Sequence, residues 1–246
     1  MTKNIAHRGF SGKYPENTML AFRKALETGC DGIELDVHLS RDGVPVVIHD
    51  ETLDRTTDAS GPVWEHTLAQ LRQADASAGY RGVYGKNPIP TLREYFELAA
   101  PTGVLTNIEL KTGVNPYPGI EEKVLGLIDE FGLRDRIIIS SFNHFSILRF
   151  QALAPEVKLG FLEESWIIGM GAYTKAHGVQ CVHPIYYNLT PECLAEMKAA
   201  GREVNTWTVN TREAMEDLVD RGVDGIIGNF PDLCGEVIRS RAQGKG

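Results

Sequence analysis

Positive charge is in short supply: 25 Lys and Arg face 33 Asp and Glu, a formal net charge of -8 over 246 residues. That balance argues against a surface built to neutralise nucleic-acid phosphates or to lie on an anionic membrane. A few local cations would still suffice for one small anion. Cysteine is scarce too. Cys30, Cys181, Cys193 and Cys234 form no CxxC pair and keep no regular spacing, which excludes an evident zinc site or disulfide framework and leaves buried free thiols. No apolar run approaches the length of a membrane span. No basic flank followed by an apolar stretch precedes the first strand candidate, so a cytoplasmic protein is expected. Repeats and low-complexity tracts are missing, and only Gln243–Gly246 reads as a disordered tail. Nothing in the composition excludes a homo-oligomer.

Apolar residues at 42% and charged residues at 24% are those of an ordinary globular protein, with enough core-forming material to fold without a staple. The length is close to that of one complete (β/α)8 barrel. Short apolar runs suited to buried strands alternate with amphipathic stretches, the pattern of a parallel sheet covered by helices. The strand candidates are Asn4–Arg8, Gly32–Leu39, Val104–Lys111, Ile137–Ser141, Lys158–Glu163, Val179–Ile185, Glu203–Val209 and Gly225–Gly228. Eight such runs favour a closed barrel. Helices are expected over Asn17–Thr28, Leu92–Ala100, Ile120–Phe131, His144–Ala154, Pro191–Ala200 and Thr211–Arg221, with Gly132 as a stop and Thr190–Pro191 as a start. About forty residues, 51–90, interrupt this rhythm. They are too long for a plain loop and, with a short helical stretch at His66–Gln73, read as a lobe inserted at the active-site end of a single domain.

The chemistry concentrates in two strands. Ile33, Leu35 and Val37 alternate with Glu34, Asp36 and His38, so the three polar side chains share one face. In Asn107–Lys111 the same alternation sets Asn107, Glu109 and Lys111 together. Like charges buried this close are costly unless a cation or proton lies between them. An oxygen-ligand site made by Glu34, Asp36 and Glu109, suited to Mg²⁺ or Ca²⁺, is the economical explanation, with Lys111 left to bind phosphoryl oxygens. A buried ion-pair network serving structure alone is the alternative. His7-Arg8-Gly9 ends the first strand, and His49-Asp50 ends the run Val44–Ile48 after the Arg41–Gly43 turn. Either histidine alone is a weak signal. Two imidazoles flanking bound metal are what hydrolysis needs, one to accept a proton and one to give it to the leaving alkoxide. Arg8 adds a second cation.

The stretch His7-Arg-Gly-Phe-Ser-Gly-Lys-Tyr-Pro-Glu-Asn-Thr18 resembles the opening motif of the glycerophosphodiester phosphodiesterase family. Glu34-Leu-Asp36, Asp42-Gly43 and His49-Asp50 resemble its second block. The likeness continues through Glu109-Leu-Lys111, Ser140-Ser-Phe142, Trp207-Thr-Val-Asn210 and Gly222–Ile227, in order and over nearly the whole chain. The resemblance implies a TIM-type barrel that cleaves small glycerophosphodiesters to sn-glycerol 3-phosphate and an alcohol. It also implies a divalent-metal site at Glu34, Asp36 and Glu109, an acid/base pair at His7 and His49, phosphate contacts at Arg8 and Lys111, and aromatic contacts with glycerol at Phe142 and Trp207. For those two aromatics, core packing is the competing reading. The pattern departs at Gly228–Pro231, where many relatives carry Thr with Asp or Asn, and no catalytic role is assigned there. His38 reads as a wall residue and Glu163 as a solvated carboxylate, while His144, His177 and His183 receive no role.

Two other functions compete. A barrel phosphodiesterase acting on lysophospholipids or sphingomyelin-like heads would be marked by an apolar lid in the insertion, which offers Trp64, Tyr80 and Tyr84 but no long apolar run. A silent barrel that only binds a phosphorylated ligand would be marked by loss of His7, His49 or a carboxylate, and all are present. Direct attack by water and a cyclic phosphate formed through the vicinal glycerol hydroxyl are both open.

Overall fold

A computed structural model describes residues 1–243. Its strands are β1 (Lys3–His7), β2 (Gly32–Leu39), β3 (Pro45–Val47), β4 (Leu105–Leu110), β5 (Ile137–Ser141), β6 (Lys158–Glu163), β7 (Cys181–Pro184), β8 (Glu203–Thr206) and β9 (Gly225–Gly228). Eight of them form parallel pairs in the order β1-β9-β8-β7-β6-β5-β4-β2, and a β1–β2 pairing closes the barrel. The helices are α1 (Met19–Glu27), α2 (Leu68–Leu71), α3 (Leu92–Ala99), α4 (Ile120–Glu130), α5 (His144–Leu153), α6 (Met170–Ala176), α7 (Pro191–Ala199), α8 (Arg212–Arg221) and α9 (Pro231–Gln243). The TIM-type expectation holds. Two helices go beyond it, α6 and α9. Gln243 ends α9 instead of opening a disordered tail, and residues 244–246 of that expected tail lie outside the described residues.

Strand alternation divides β2 as its sequence dictates. Ile33, Leu35 and Val37 are fully buried in the main core with Phe22 of α1 and with Tyr95 and Phe96 of α3. Each such side chain contributes roughly 1.5–3 kcal/mol of burial free energy. The polar set fills the other face, inside the barrel. Helix starts are fixed by side-chain caps at Thr18, Thr91, Thr190 and Thr211, and Glu94 completes a capping box with Thr91.

The extra strand outside the barrel, β3, is the local feature that matters most for the site. β2 outruns its barrel neighbours, and β3 pairs antiparallel with the overhang, Val37 opposite Val47 and Leu39 opposite Pro45. This hairpin carries the chain back down, where Ile48 N donates to Asp36 O at 3.1 Å. His49, which ends the run Val44–Ile48, therefore reaches the carboxylates just beyond a returning antiparallel strand. Residues 51–90 follow. They hold the short α2, a Thr52–Pro62 bridge and a small apolar cluster in which Leu53, Val63, Leu71 and Ile89 join Val46 and Ile48.

Candidate active site

Register sets the carboxylates. Glu34 pairs with His7 and Asn107, and Asp36 with Glu109, so the inward face of β2 and β4 collects three acids in two adjacent layers. All three are buried, and one oxygen from each lies within 4.8 Å of the others. Lys111 Nζ lies 2.8 Å from Glu109 Oε1 and 3.9 Å from Asp36 Oδ1. Arg8 contributes twice: its backbone N–H donates to Glu34 Oε2 at 2.9 Å, and its Nε lies 3.4 Å from Asp36 Oδ2. Asn17 Nδ2 also donates to Asp36 Oδ2, at 2.8 Å. Arg8 and Asn17 both adopt the left-handed backbone conformation, φ 55° and 54°, which a non-glycine residue holds only where its surroundings fix it.

These contacts leave the triad short of positive charge. Burial, then the neighbouring Asp36 charge, pushes Glu34 well above the usual carboxylate range, and burial likewise raises Glu109 against the pull of Lys111. Asp36 goes the other way: burial opposes its ionisation, but Arg8, His49 and Lys111 outweigh that and hold it low. Burial works against the Lys111 ammonium too, yet Glu109 and Asp36 keep it firmly protonated. Asp36 Oδ1 is buried with no hydrogen-bond donor, an unsatisfied acceptor aimed into the cluster. Three carboxylates, no thiol and an orphaned oxygen fit a hard divalent cation.

The two histidines flank this cluster, and each is held by its Nδ1. His7 Nδ1 lies 2.7 Å from Asn229 Oδ1, and His49 Nδ1 lies 2.6 Å from Asp50 Oδ1. An oxygen acceptor at Nδ1 places the proton there and leaves Nε2 to work. His7 Nε2 lies 4.0 Å from Glu34 Oε2. Burial, with Arg8 nearby, lowers the His7 pKa to about 3, so the ring is neutral at pH 7. Behind His49, Arg55 donates from Nε and Nη2 to Asp50 at 2.7 and 2.8 Å, and it pairs with both oxygens of Glu16 at 2.9 and 2.7 Å. Glu16 also accepts from Arg8 Nη1 at 2.9 Å.

All nine residues expected from the sequence converge here. His7, Arg8, Glu34, His49, Glu109, Phe142 and Trp207 line one cleft of about 290 Å³, and Asp36 and Lys111 abut it through the contacts above. Phe142 and Trp207 meet edge to face at 5.5 Å, and Trp207 Nε1 donates to His183 O at 2.7 Å. Two larger depressions, at the opposite end of the barrel around Met1 and Asp224 and beside α3 and α4 around Leu127, lie away from the triad.

The residues set aside fall into place structurally. His38 donates from Nε2 to the His49 carbonyl at 3.1 Å and accepts the Tyr117 hydroxyl at Nδ1, 2.9 Å, and burial lowers its pKa to about 4. Fully buried and not among the cleft-lining residues, His38 steadies the His49 backbone from behind the cleft. Glu163 accepts from the Ser165 amide, and its neighbour Glu164 lines the cleft instead. His144 stacks on Phe161 at 4.0 Å and bonds Leu162 O. His183 is buried beside Asn205. The segment after β9 is assigned no catalytic role from sequence, and the structure adds a positioning contact there: the Asn229 side chain holds His7 Nδ1. Glu16 and Arg55 were also missed. Their only sequence signal is their place beside the two histidine motifs.

An interior of this kind is that of a β/α-barrel hydrolase. Residues 7–233 match the model of the glycerophosphoryl diester phosphodiesterase family. A glycerophosphodiester phosphodiesterase of Caldanaerobacter subterraneus subsp. tengcongensis is 43% identical over 235 residues, 96% of this chain and 97% of the relative. An Oleispira antarctica phosphodiesterase, solved in complex with the product sn-glycerol-3-phosphate, superposes with a TM-score of 0.86 at 32% identity, covering 96% of both chains. The glycerophosphodiester phosphodiesterase of Agrobacterium tumefaciens gives 0.83 at 30% identity, over 96% of this chain and 100% of that one. The chain belongs to the glycerophosphoryl diester phosphodiesterase family.

Proposed function

We propose that this chain hydrolyses glycerophosphodiesters to sn-glycerol 3-phosphate and an alcohol, with His7 and His49 dividing the two proton transfers. The observation that carries the assignment is the shared hold on Nδ1, which leaves Nε2 of each ring for proton transfer on two residues that line the carboxylate-bearing cleft. The two holds differ chemically. Asp50 is anionic and offsets positive charge on the His49 ring, whereas Asn229 is neutral and His7 is buried in its uncharged form. His49 is therefore the general acid for the leaving alkoxide, and His7 the base. Glu34, Asp36 and Glu109 would hold one divalent cation, Mg²⁺ or Ca²⁺, which when bound would offset charge developing on a nonbridging phosphoryl oxygen.

Arg8 and Lys111 bring fixed positive charge to the phosphate side of the cleft. Phe142 and Trp207 offer an apolar wall to the glycerol carbons. The lobe of residues 51–90 belongs to the same catalytic domain in this reading, because its Arg55 ties Asp50 to Glu16.

Leaving-group chemistry tests the division of labour. Either His→Ala change should depress turnover of an alkyl glycerophosphodiester by roughly two to four orders of magnitude. A nitrophenyl oxide leaves without protonation, so His49→Ala should recover on a nitrophenyl phosphodiester and His7→Ala should not. Recovery of His7→Ala alone would reverse the roles. Normal turnover of alkyl substrates by both variants would remove the histidines from catalysis.

A further inference from the structure

His49 is held twice. Asp50 backs its ring, and its backbone carbonyl accepts from His38 Nε2 at 3.1 Å. A ring nitrogen that faces a carbonyl must carry the proton, and in a neutral imidazole the other nitrogen is then an acceptor only. Burial keeps the His38 ring neutral. The group that meets its Nδ1 is the Tyr117 hydroxyl, which donates there at 2.9 Å. His38 is fully buried, so solvent does not reach Nδ1 to take the place of that hydroxyl. Tyr117 comes from the segment between β4 and α4 that opens with Lys111. Its φ of 42° lies in the left-handed region, which a bulky residue enters only where its surroundings hold it. Its amide donates to Asn115 Oδ1 at 3.1 Å, and its carbonyl accepts from Ile120 N at 3.0 Å. Its ring stands edge-on to His38 at 5.6 Å and to Trp64, from the segment after β3, at 6.5 Å. Tyr117 is buried and lines no part of the reaction cleft. A phenylalanine would meet the demands of that packing, and the hydroxyl is the part that packing leaves unexplained.

We propose that Tyr117 is a positioning residue for the proton transfer made by His49: its hydroxyl fixes His38 in the one tautomer that holds the His49 carbonyl. The inference rests on the assignment of His49 as general acid and adds the residue that keeps it within reach of the leaving oxygen. The two holds do different things. Asp50 sets the tautomer and rotation of the His49 ring, whereas the chain from Tyr117 through His38 sets the backbone from which that ring projects. Without the hydroxyl, the two nitrogens of His38 compete for a single proton. The tautomer protonated at Nδ1 turns a lone pair on Nε2 toward the His49 carbonyl oxygen, acceptor against acceptor, and the anchor is lost. Asp50, Arg55 and the carboxylate triad keep all their own bonds. A misplacement of about 1 Å is enough to cost roughly 100-fold in a reaction that depends on aligned groups. Tyr117 acts through His38 and touches none of the reacting atoms.

The test uses the metal-loaded full chain and two esters of glycerol phosphate, one with choline and one with 4-nitrophenol. Tyr117→Phe removes one oxygen and keeps the ring, so the fold stands, which the melting temperature checks. Its kcat on glycerophosphocholine should fall about tenfold, the lower end for losing a partner that orients a working side chain, with KM unchanged. The nitrophenyl oxide needs no proton from His49, so kcat on that ester should stay near that of the unaltered protein. General loosening of the site would lower both alike. In a His38→Gln background the side-chain amide N–H holds the His49 carbonyl with no tautomer to choose, and adding Tyr117→Phe there should cost nothing more. Equal losses on the two esters, no loss on glycerophosphocholine, or the full loss repeated in the His38→Gln background would each overturn the proposal. His49→Ala, run alongside, separates the two ways of failing. A leaving-group-selective deficit in His49→Ala with none in Tyr117→Phe overturns this inference alone, and selectivity in neither overturns the acid assignment with it.

Discussion

Glu16 receives guanidinium groups from two directions, Arg8 beside the carboxylate triad and Arg55 from the segment after β3. Burial alone would raise its pKa, but the two arginines outweigh that and hold it low. Arg55 thus fixes two things at once, the Asp50 that backs His49 and the Glu16 that aims Arg8. It touches neither the triad nor the cleft lining, and so acts by positioning. Arg55→Ala should lower kcat by about 10–100-fold, the usual cost of removing a partner that orients a working side chain. The midpoint of a Mg²⁺ titration followed by melting temperature should stay put. Arg55→Lys should recover little, because an ammonium cannot span two carboxylates as the guanidinium fork does. A shifted Mg²⁺ midpoint with unchanged kcat would show Arg55 to be serving the triad instead. None of this linkage was legible in the chain, since Glu16 and Arg55 stand 39 positions apart. The triad was legible, because period-two alternation within β2 and β4 needs no tertiary information.

Elements were legible to the extent that their signals are local. α4 and α7 carry their own stripe or cap, and the expected bounds match to within a residue. α6 does not announce itself: it starts at Gly169 with no side-chain cap of its own, and Glu196 of α7 supplies the acceptors for Gly171 N and Ala172 N at 2.9 and 3.0 Å. A Cβ at Gly171 would lie 2.7 Å from Met197 Cα, so this helix exists by close packing against a neighbour. α9 is a different case, since Pro231 at its start and the stripe Leu233, Cys234, Val237 and Ile238 were readable. The turn after β1 gives a test at this scale. Gly9 has φ 78°, and a Cβ there would meet the Ala21 carbonyl carbon at 2.7 Å, whereas Gly222 has the same φ with nothing within 4 Å. Gly222→Ala should cost about 1 kcal/mol in denaturant unfolding, the left-handed penalty alone, with activity kept. Gly9→Ala should cost more and should lower kcat, because the turn sets His7 and Arg8. Equal costs and equal activities would show that the Gly9 turn yields without moving the site.

Seen as one molecule, the chain stores unfavourable charge in its barrel and should reveal it through pH. Glu34 and Glu109 have folded pKa values above the unfolded carboxylate value of 4.5, so the folded metal-free protein holds those protons more tightly. The stability they confer is present below that value and is lost as pH rises toward the folded values. A bound cation replaces the protons, so its stabilising effect should be small near pH 5 and grow toward pH 8. His7 and His38, buried neutral with pKa lowered to about 3 and about 4, tilt stability the opposite way between those values and 6.5. That contribution is common to both forms and cancels in the difference. Melting temperatures with Mg²⁺ and with chelator at both pH values would show it. A metal effect as large at pH 5 as at pH 8 would mean that the triad carries no such strain. No helix among the described residues is long and apolar enough to cross a membrane.

The most direct measurement is phosphorus NMR of glycerophosphocholine incubated with the protein, once with Mg²⁺ or Ca²⁺ and once with excess chelator. Loss of the diester signal with stoichiometric appearance of glycerol 3-phosphate, abolished by chelator and by Glu109→Gln, is the predicted result. A diester signal that persists with either metal, or hydrolysis that continues unchanged in chelator, would contradict a metal-assisted glycerophosphodiesterase built on Glu34, Asp36 and Glu109.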